Sequence, residues 1–444
     1  MQSQNHNDLN ESFGYKELLF FSIPSIMASL LEPLAGLVDT SLVGQIDTKW
    51  LASLAVGTTI LNAFTWMFNF LVHASTQAVS KAAGQKDYSL LGEKMKISLF
   101  LAFTIGFLSA SFIFLVRKPL YAMAGGRPEI EAFIEAYFLI RLIGHPFTLV
   151  YLTLISILRG LGRVQLGFGL MTLTTFSNIG ISWYLLFVQK TGLEGAAYGT
   201  VAANVIGVVL AFGFLMQRAQ IREHFFGSQF SKEGWFTFGK NSIHLFGRSF
   251  FLTACFFIAT RFAGSLGVIE LAAHQVLLQV WLLASFFTDG VAISGNILGA
   301  RFVSQGNIEK TKEIFERLLK MGGLIGIIFS VAYFFFDDFI IGIFTKDPKV
   351  ILVLGGLWPL IWLSQLPNAI AFVYDGLLFG LESFGYLQKM MMIGVAAVFL
   401  PIALLSMVYN SLYPLWIALI CLNLFRLVTG FNGTKKKLEV MSAA

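Results

Sequence analysis

The sequence is short of charge. Only 13% of its 444 residues are Asp, Glu, Lys or Arg, against roughly a quarter in ordinary soluble domains, which excludes a water-solvated globule as the bulk of the chain. Cysteine is scarce as well. Cys255 and Cys421 stand apart without CxxC or CxxH spacing, so a disulfide framework and a cysteine-built metal site are excluded and two small apolar core residues are expected. Three motifs are missing: the GxxxxGK[ST] phosphate loop, HExxH and GxSxG. No polar region is large enough to hold an ATPase, so any work must draw on a gradient, and no cofactor is expected.

What is there is apolar. Hydrophobic residues make up 56% of the chain, with 46 Phe, and mean hydropathy is +0.73. Apolar runs of about 18 residues or more recur throughout, each long enough to cross a bilayer. With Gly, Pro and charge clusters as breaks, the pattern predicts twelve membrane helices, at 15–43, 51–82, 91–116, 130–158, 164–188, 195–216, 236–263, 269–302, 314–336, 350–379, 386–408 and 412–431. Helices are the spanning element because lipid offers no hydrogen bonds to an open backbone. Of the 31 Lys and Arg, 20 fall in loops on the side of the two termini and 8 on the other. That asymmetry predicts cytoplasmic termini, and it also accounts for the net charge of +6 without invoking nucleic acid.

The polar stretch 217–240 divides the chain near its middle. At an offset of 220, AGQKD at Ala83 aligns with VSQGN at Val303, and RGLGR at Arg159 with FGLES at Phe379. Loops and breaks therefore fall in register. The expected architecture is an all-α integral membrane protein of two pseudo-symmetric six-helix lobes, 1–220 and 241–444, joined by a cytoplasmic linker, 221–240. Parallel repeats of this kind are typical of transporters.

Ionisable groups inside these spans cost about 2.5 to 3.5 kcal/mol each on insertion scales, so each raises a functional question. They are Glu32, Asp39, His73, Arg141, His145, Arg248, His274, Asp289, Asp375 and Arg426. Asp375 and Arg426 lie near span ends, where a snorkelling side chain is expected. The three histidines read as satisfied core groups, and none pairs with another at metal-binding spacing. Arg248 and Asp289 lie on consecutive spans, where a buried ion pair would either tie the second lobe together or take part in substrate or ion handling. Arg141, beside Gly144 and Pro146, is expected to pair with a carboxylate of the first lobe.

Glu32 and Asp39 are seven residues apart, about 20° on the helical wheel and roughly 10.5 Å along the axis. At an effective dielectric of 20 they repel by about 1.5 kcal/mol. Such a pair can exchange a proton near neutral pH. Counted from Glu17, however, Asp39 is about 33 Å along a straight helix, near the outer edge of a 30 Å hydrocarbon core. Helix arithmetic leaves an interfacial position open, and Pro24 and Pro33 do not decide it.

Several segments, in order, carry a family resemblance: PLAGLVDTSLVGQ at Pro33, LASLAVGTTILNAFTWMFNFL at Leu51, YFLIRLIGHP at Tyr137, ILRGLGRVQ at Ile157, NIGIS at Asn178, GLEGAAYGTVAAN at Gly192, GRSFFLTACF at Gly247, LAAHQVLLQVWLLASFFTDGVA at Leu271 and DGLLFG at Asp375. The chain resembles multidrug and toxic compound extrusion (MATE) transporters, and within them the DinF branch. The resemblance implies a V-shaped pair of lobes that exchanges H+ or Na+ for organic, often cationic, compounds by alternating access. It implies Asp39 as the coupling residue, surrounded by Tyr137, Asn178 and Thr200, and Pro24 as a point of helix bending. Relatives often carry an acid four positions after the asparagine, where Ser182 stands here. A usual acid of the eighth span is replaced by Asn296, which leaves Asp289 as the acidic candidate of the second lobe. Glu32 is not a usual family residue and offers either a second carboxylate or a partner for Arg141.

The expected function is H+-coupled export of small organic, cationic or amphipathic compounds, with Na+ at Asp39 and Asn178 as the alternative ion. Arg141, Arg248 and Asp289 are substrate-cavity or second-lobe candidates, and Phe64, Trp66, Phe68 and Tyr137 are aromatic candidates for stacking on flat cations. The expected setting is a bacterial inner membrane, the protein monomeric and in contact with lipid. A flippase for lipid-linked sugars of related fold would show several cations facing the cavity. An intramembrane lipid-modifying enzyme would need clustered catalytic groups, and a passive channel would not respond to a collapsed gradient.

Overall fold

The computed structural model describes residues 14–443, apart from the side chains of Phe20, Glu32 and Leu37. Among the described residues the chain is all-α, and twelve helical stretches are long and apolar enough to cross a membrane. The first six spans are Tyr15–Gly44, Thr48–Gln85, Tyr88–Met123, Pro128–Gly160, Val164–Val188 and Glu194–Met216. The other six are Lys232–Leu266, Val268–Ser304, Ile308–Phe335, Pro348–Gly380, Phe384–Tyr409 and Tyr413–Ala443. Short helices, Ala219–Gly227 and Asp337–Phe344, lie between the sixth and seventh and between the ninth and tenth.

Helices outrun the apolar runs that predict them. The third span begins at Tyr88, where Asp87 caps it by accepting from the Leu90 amide at 2.9 Å, and the ninth begins at Ile308, where Asn307 accepts from the Lys310 amide at 3.1 Å. Hydropathy marks where lipid ends, while caps mark where the helix ends. The second span differs from prediction in another way. It breaks at Phe68 and Asn69 into Thr48–Met67 and Phe70–Gln85, inside a run apolar enough to read as continuous.

The repeat is written in the backbone. Left-handed turns recur at the 220-residue offset: Lys86 (φ 56°) and Gly306 (φ 72°), Gly162 (φ 78°) and Glu382 (φ 54°), Lys190 (φ 52°) and Asn410 (φ 48°). Non-glycine residues seldom adopt such angles, so three matched pairs are a strong mark of common construction. Each half also has its own apolar core. One cluster joins Val79, Leu91, Leu154 and Leu215 in the first half, and another joins Cys255, Leu277, Trp358 and Trp416 in the second. A third, with Leu18, Phe70 and Leu149 from the first half and Phe238, Leu298 and Phe379 from the second, joins the two. Phe103, Phe107, Phe334 and Phe335 are among many large apolar side chains left exposed, as a surface solvated by lipid requires.

Polar contacts between the halves concentrate toward one end. Ser22 Oγ meets Ser294 Oγ at 2.9 Å, Ser80 Oγ donates to the Ile297 carbonyl at 2.7 Å, and Arg301 donates to the Gly160 carbonyl at 3.4 Å. These residues sit near the start of the first span and the ends of the second, fourth and eighth, which is the end of the molecule where the chain termini lie.

Candidate functional site

Asp39, on the first span, is only 9% exposed, so it does not occupy a solvated interfacial position. Protein, rather than depth in the bilayer, buries it. Its Oδ2 accepts from Asn178 Nδ2 on the fifth span at 3.2 Å. One turn further along, Ser182 Oγ donates to Asn178 Oδ1 at 3.0 Å. That bond orients the amide, because an amide oxygen occupied by a hydroxyl donor leaves its NH2 group to face the carboxylate. Ser182 thus has a positioning role that NIGIS, read as a departure from a two-acid pattern, does not disclose. The usable signal was its place one helical turn after Asn178.

The sixth span comes close enough to complete the ring because Gly199 faces Ser182. A Cβ on Gly199 would fall 2.2 Å from Ser182 Oγ. The next residue, Thr200, donates its hydroxyl to the Ala196 carbonyl at 3.1 Å and stands beside Asp39, and the Arg141 charge lies within electrostatic reach of the same carboxylate. Tyr137 is 2% exposed, and the Arg141 guanidinium sits 6.0 Å from its ring centre. The structure therefore brings together Asp39, Tyr137, Arg141, Asn178, Ser182 and Thr200 from four spans. Arg141 forms no ion pair among the described residues. Glu32 lies on the same helix, but its side chain is outside the described residues. The helix continues through Pro24 and Pro33.

One atom of this site stands out: Asp39 Oδ1 is buried without a hydrogen-bond partner among the described residues. A buried acceptor of this kind is costly unless a proton, cation or substrate donor satisfies it. The aromatic candidates divide. Phe64 and Phe68 pack on apolar clusters, Tyr137 is enclosed, and Trp66 is 47% exposed.

In the second half two expectations are corrected. Arg248 does not pair with Asp289. It donates to Asp375 Oδ2, which also accepts from Arg426 Nη2 at 2.7 Å. Asp375 and Arg426 do not snorkel, being 6% and 5% exposed. The physical reason is shared desolvation, since two guanidinium groups buried side by side need an anion between them. Asp289 is half-buried and lies within electrostatic reach of the triad. His73, from the first half, stacks on Phe379 at 4.6 Å between ring centres, and Phe379 also lies 5.5 Å from the Arg248 guanidinium. His145 and His274 are buried among their own halves.

The MatE family model matches the chain twice, over residues 24–184 and 245–405. The chain belongs to the MATE family. The second matched stretch is offset from the first by 221 residues, close to the 220-residue repeat of the turns. Protein DETOXIFICATION 43 of Arabidopsis thaliana is 27% identical, over 94% of this chain and 89% of its own length. DNA damage-inducible protein F of Escherichia coli is 26% identical, over 91% and 88%, which makes the DinF resemblance concrete. The fold matches that of the Vibrio cholerae MATE transporter VcmN in the bent form, with a TM-score of 0.88 at 18% identity, covering 97% of this chain and 98% of that one. This MATE protein is thus a multi-pass membrane transporter, not an enzyme, of a family whose members include a probable multidrug resistance protein of Rhizobium meliloti, 23% identical over 83% of this chain and 81% of its own length.

Proposed function

We propose that the chain exports organic, often cationic, compounds in exchange for protons, by alternating access between the lobes 1–220 and 241–444, with Asp39 as the protonatable residue. The unpartnered Asp39 Oδ1 carries this reading. A carboxylate with one oxygen held by Asn178 and the other left open has one vacancy, which a proton fills and a cationic substrate competes for. Deprotonated Asp39 attracts the cation, and protonation from outside removes the attraction and releases it. Because only a difference in affinity between two states can drive a cycle, the vacancy must be filled in one state and open in the other.

Sodium is the less suited ion. A hard cation asks for several oxygen ligands at once, and Asn178 turns its Nδ2 donor rather than its Oδ1 toward Asp39. The flippase reading wants several free cations, yet Arg248 and Arg426 are both engaged by Asp375. The excess of Lys and Arg in loops on the side of the termini supports cytoplasmic termini in a bacterial inner membrane. The protein is read as a monomer. The test is export into proteoliposomes under an imposed pH gradient. Asp39→Asn is expected to lose pH-driven export by about two orders of magnitude while remaining folded, and full pH-driven export by that variant overturns the assignment. A strict sodium requirement in the parent protein moves the coupling ion to Na+.

A further inference from the structure

Glu382 occupies a turn where a side chain is out of place. It follows the tenth span at φ 54°, and its counterpart one repeat earlier is Gly162, at φ 78°. Glycine is the default at such angles. What a side chain at 382 gains is a hold on the other half. Its Oε1 accepts from Gln77 Nε2 at 2.8 Å, and its two carboxylate oxygens accept from Lys81 Nζ at 3.0 and 2.9 Å. Gln77 and Lys81 are four residues apart on the second span and so present one face.

The repeat-related place is built differently. Arg301 stands 220 residues after Lys81 and crosses in the opposite direction, reaching the Gly160 carbonyl at 3.4 Å. Its guanidinium lies 3.0 Å from where a Cβ on Gly162 would be, so the glycine makes room for the cation. Both halves therefore send a cation across the same end of the molecule. Among the described residues, only the one from the first half meets a carboxylate.

We propose that Glu382, Gln77 and Lys81 form a switchable latch, which holds the halves together at the end of the molecule bearing the termini and releases when that end opens. The proposal rests on the alternating-access reading above. A latch that breaks once per cycle must bias the closed state without locking it. The Lys81 and Glu382 side chains are 39% and 35% exposed, so water can take over their bonds, and pairs of this exposure shift an equilibrium by up to about fivefold.

Ser80 reports on the gap, since it is fully buried between the halves with its hydroxyl on the Ile297 carbonyl. The experiment places a thiol there, as Ser80→Cys, after Cys255→Ser and Cys421→Ser, and measures its alkylation by a small maleimide in nanodiscs. Glu382→Gln and Lys81→Gln are each expected to speed alkylation about threefold to fivefold. The charge swap Lys81→Glu with Glu382→Lys is expected to return it to within about twofold of the parent. Glu382→Gly relieves the strained turn, so it should fold at least as well as the parent yet alkylate as fast as Glu382→Gln. Single-variant rates equal to the parent's overturn the latch, and so does a charge swap as fast as the singles. If substrate or pH changes the reactivity of the thiol in the parent while Glu382→Gln does not, the latch fails and alternating access stands. A thiol inert in every variant and condition contradicts alternating access at this interface, and the latch with it.

Discussion

Asn178 and Ser182 show how a single hydroxyl can set the geometry around a buried carboxylate. Ser182 Oγ holds Asn178 Oδ1, and Asn178 Nδ2 then faces Asp39. Ser182→Ala removes one neutral hydrogen bond, about 1 kcal/mol, and frees the amide to rotate. We predict that this variant keeps its thermal stability within about 1 kcal/mol while the pH dependence of export shifts. Asn178→Ala, which removes the donor itself, is predicted to shift it further, and the measurement is initial export rate against pH. The family pattern made Asp39, Tyr137, Asn178 and Thr200 legible in advance, whereas Ser182 read only as a missing acid. Asp375 and Arg426 were misread for a plain reason: residues near the end of an apolar run look interfacial, but the tenth span is buried as far as Gly380. Asp375→Asn strands two buried guanidinium groups and is predicted to cost about 3–5 kcal/mol. Replacing all three groups with apolar residues of similar size should cost less, as thermal unfolding in detergent will show.

At the scale of elements, span number and order were readable because twelve apolar runs must each cross lipid. Span ends were not. The third and ninth helices run on into charged turns because Asp87 and Asn307 cap them at matched places in the two repeats. Asp87→Ala and Asn307→Ala are each predicted to destabilise by about 1 kcal/mol. Their effects should add, because they cap separate helices, and denaturation of the single and double variants measures this. The break in the second span escaped prediction because Asn69 is a single polar residue between Phe68 and Phe70, too little to interrupt a hydropathy run. Helix breaks inside lipid are set by packing partners, and partners are not visible in one chain's periodicity.

For the whole molecule, the duplication was legible where loops fell in register, and the structure deepens it in the paired left-handed turns and the caps. What sequence could not supply is which end of the two halves closes, because that depends on long-range pairs such as Ser80 with Ile297 and Lys81 with Glu382. With that end closed, the coupling proposed above rests on one unpartnered oxygen of one carboxylate, Asp39. If Asp39 is where proton and cationic substrate compete, substrate binding must expel a proton from the purified protein. The direct measurement is proton release on adding a cationic drug to protein in weakly buffered detergent, followed with a pH-sensitive dye. The account predicts release by the parent protein, near one proton per drug bound, and none by Asp39→Asn. Equal release from both would contradict it.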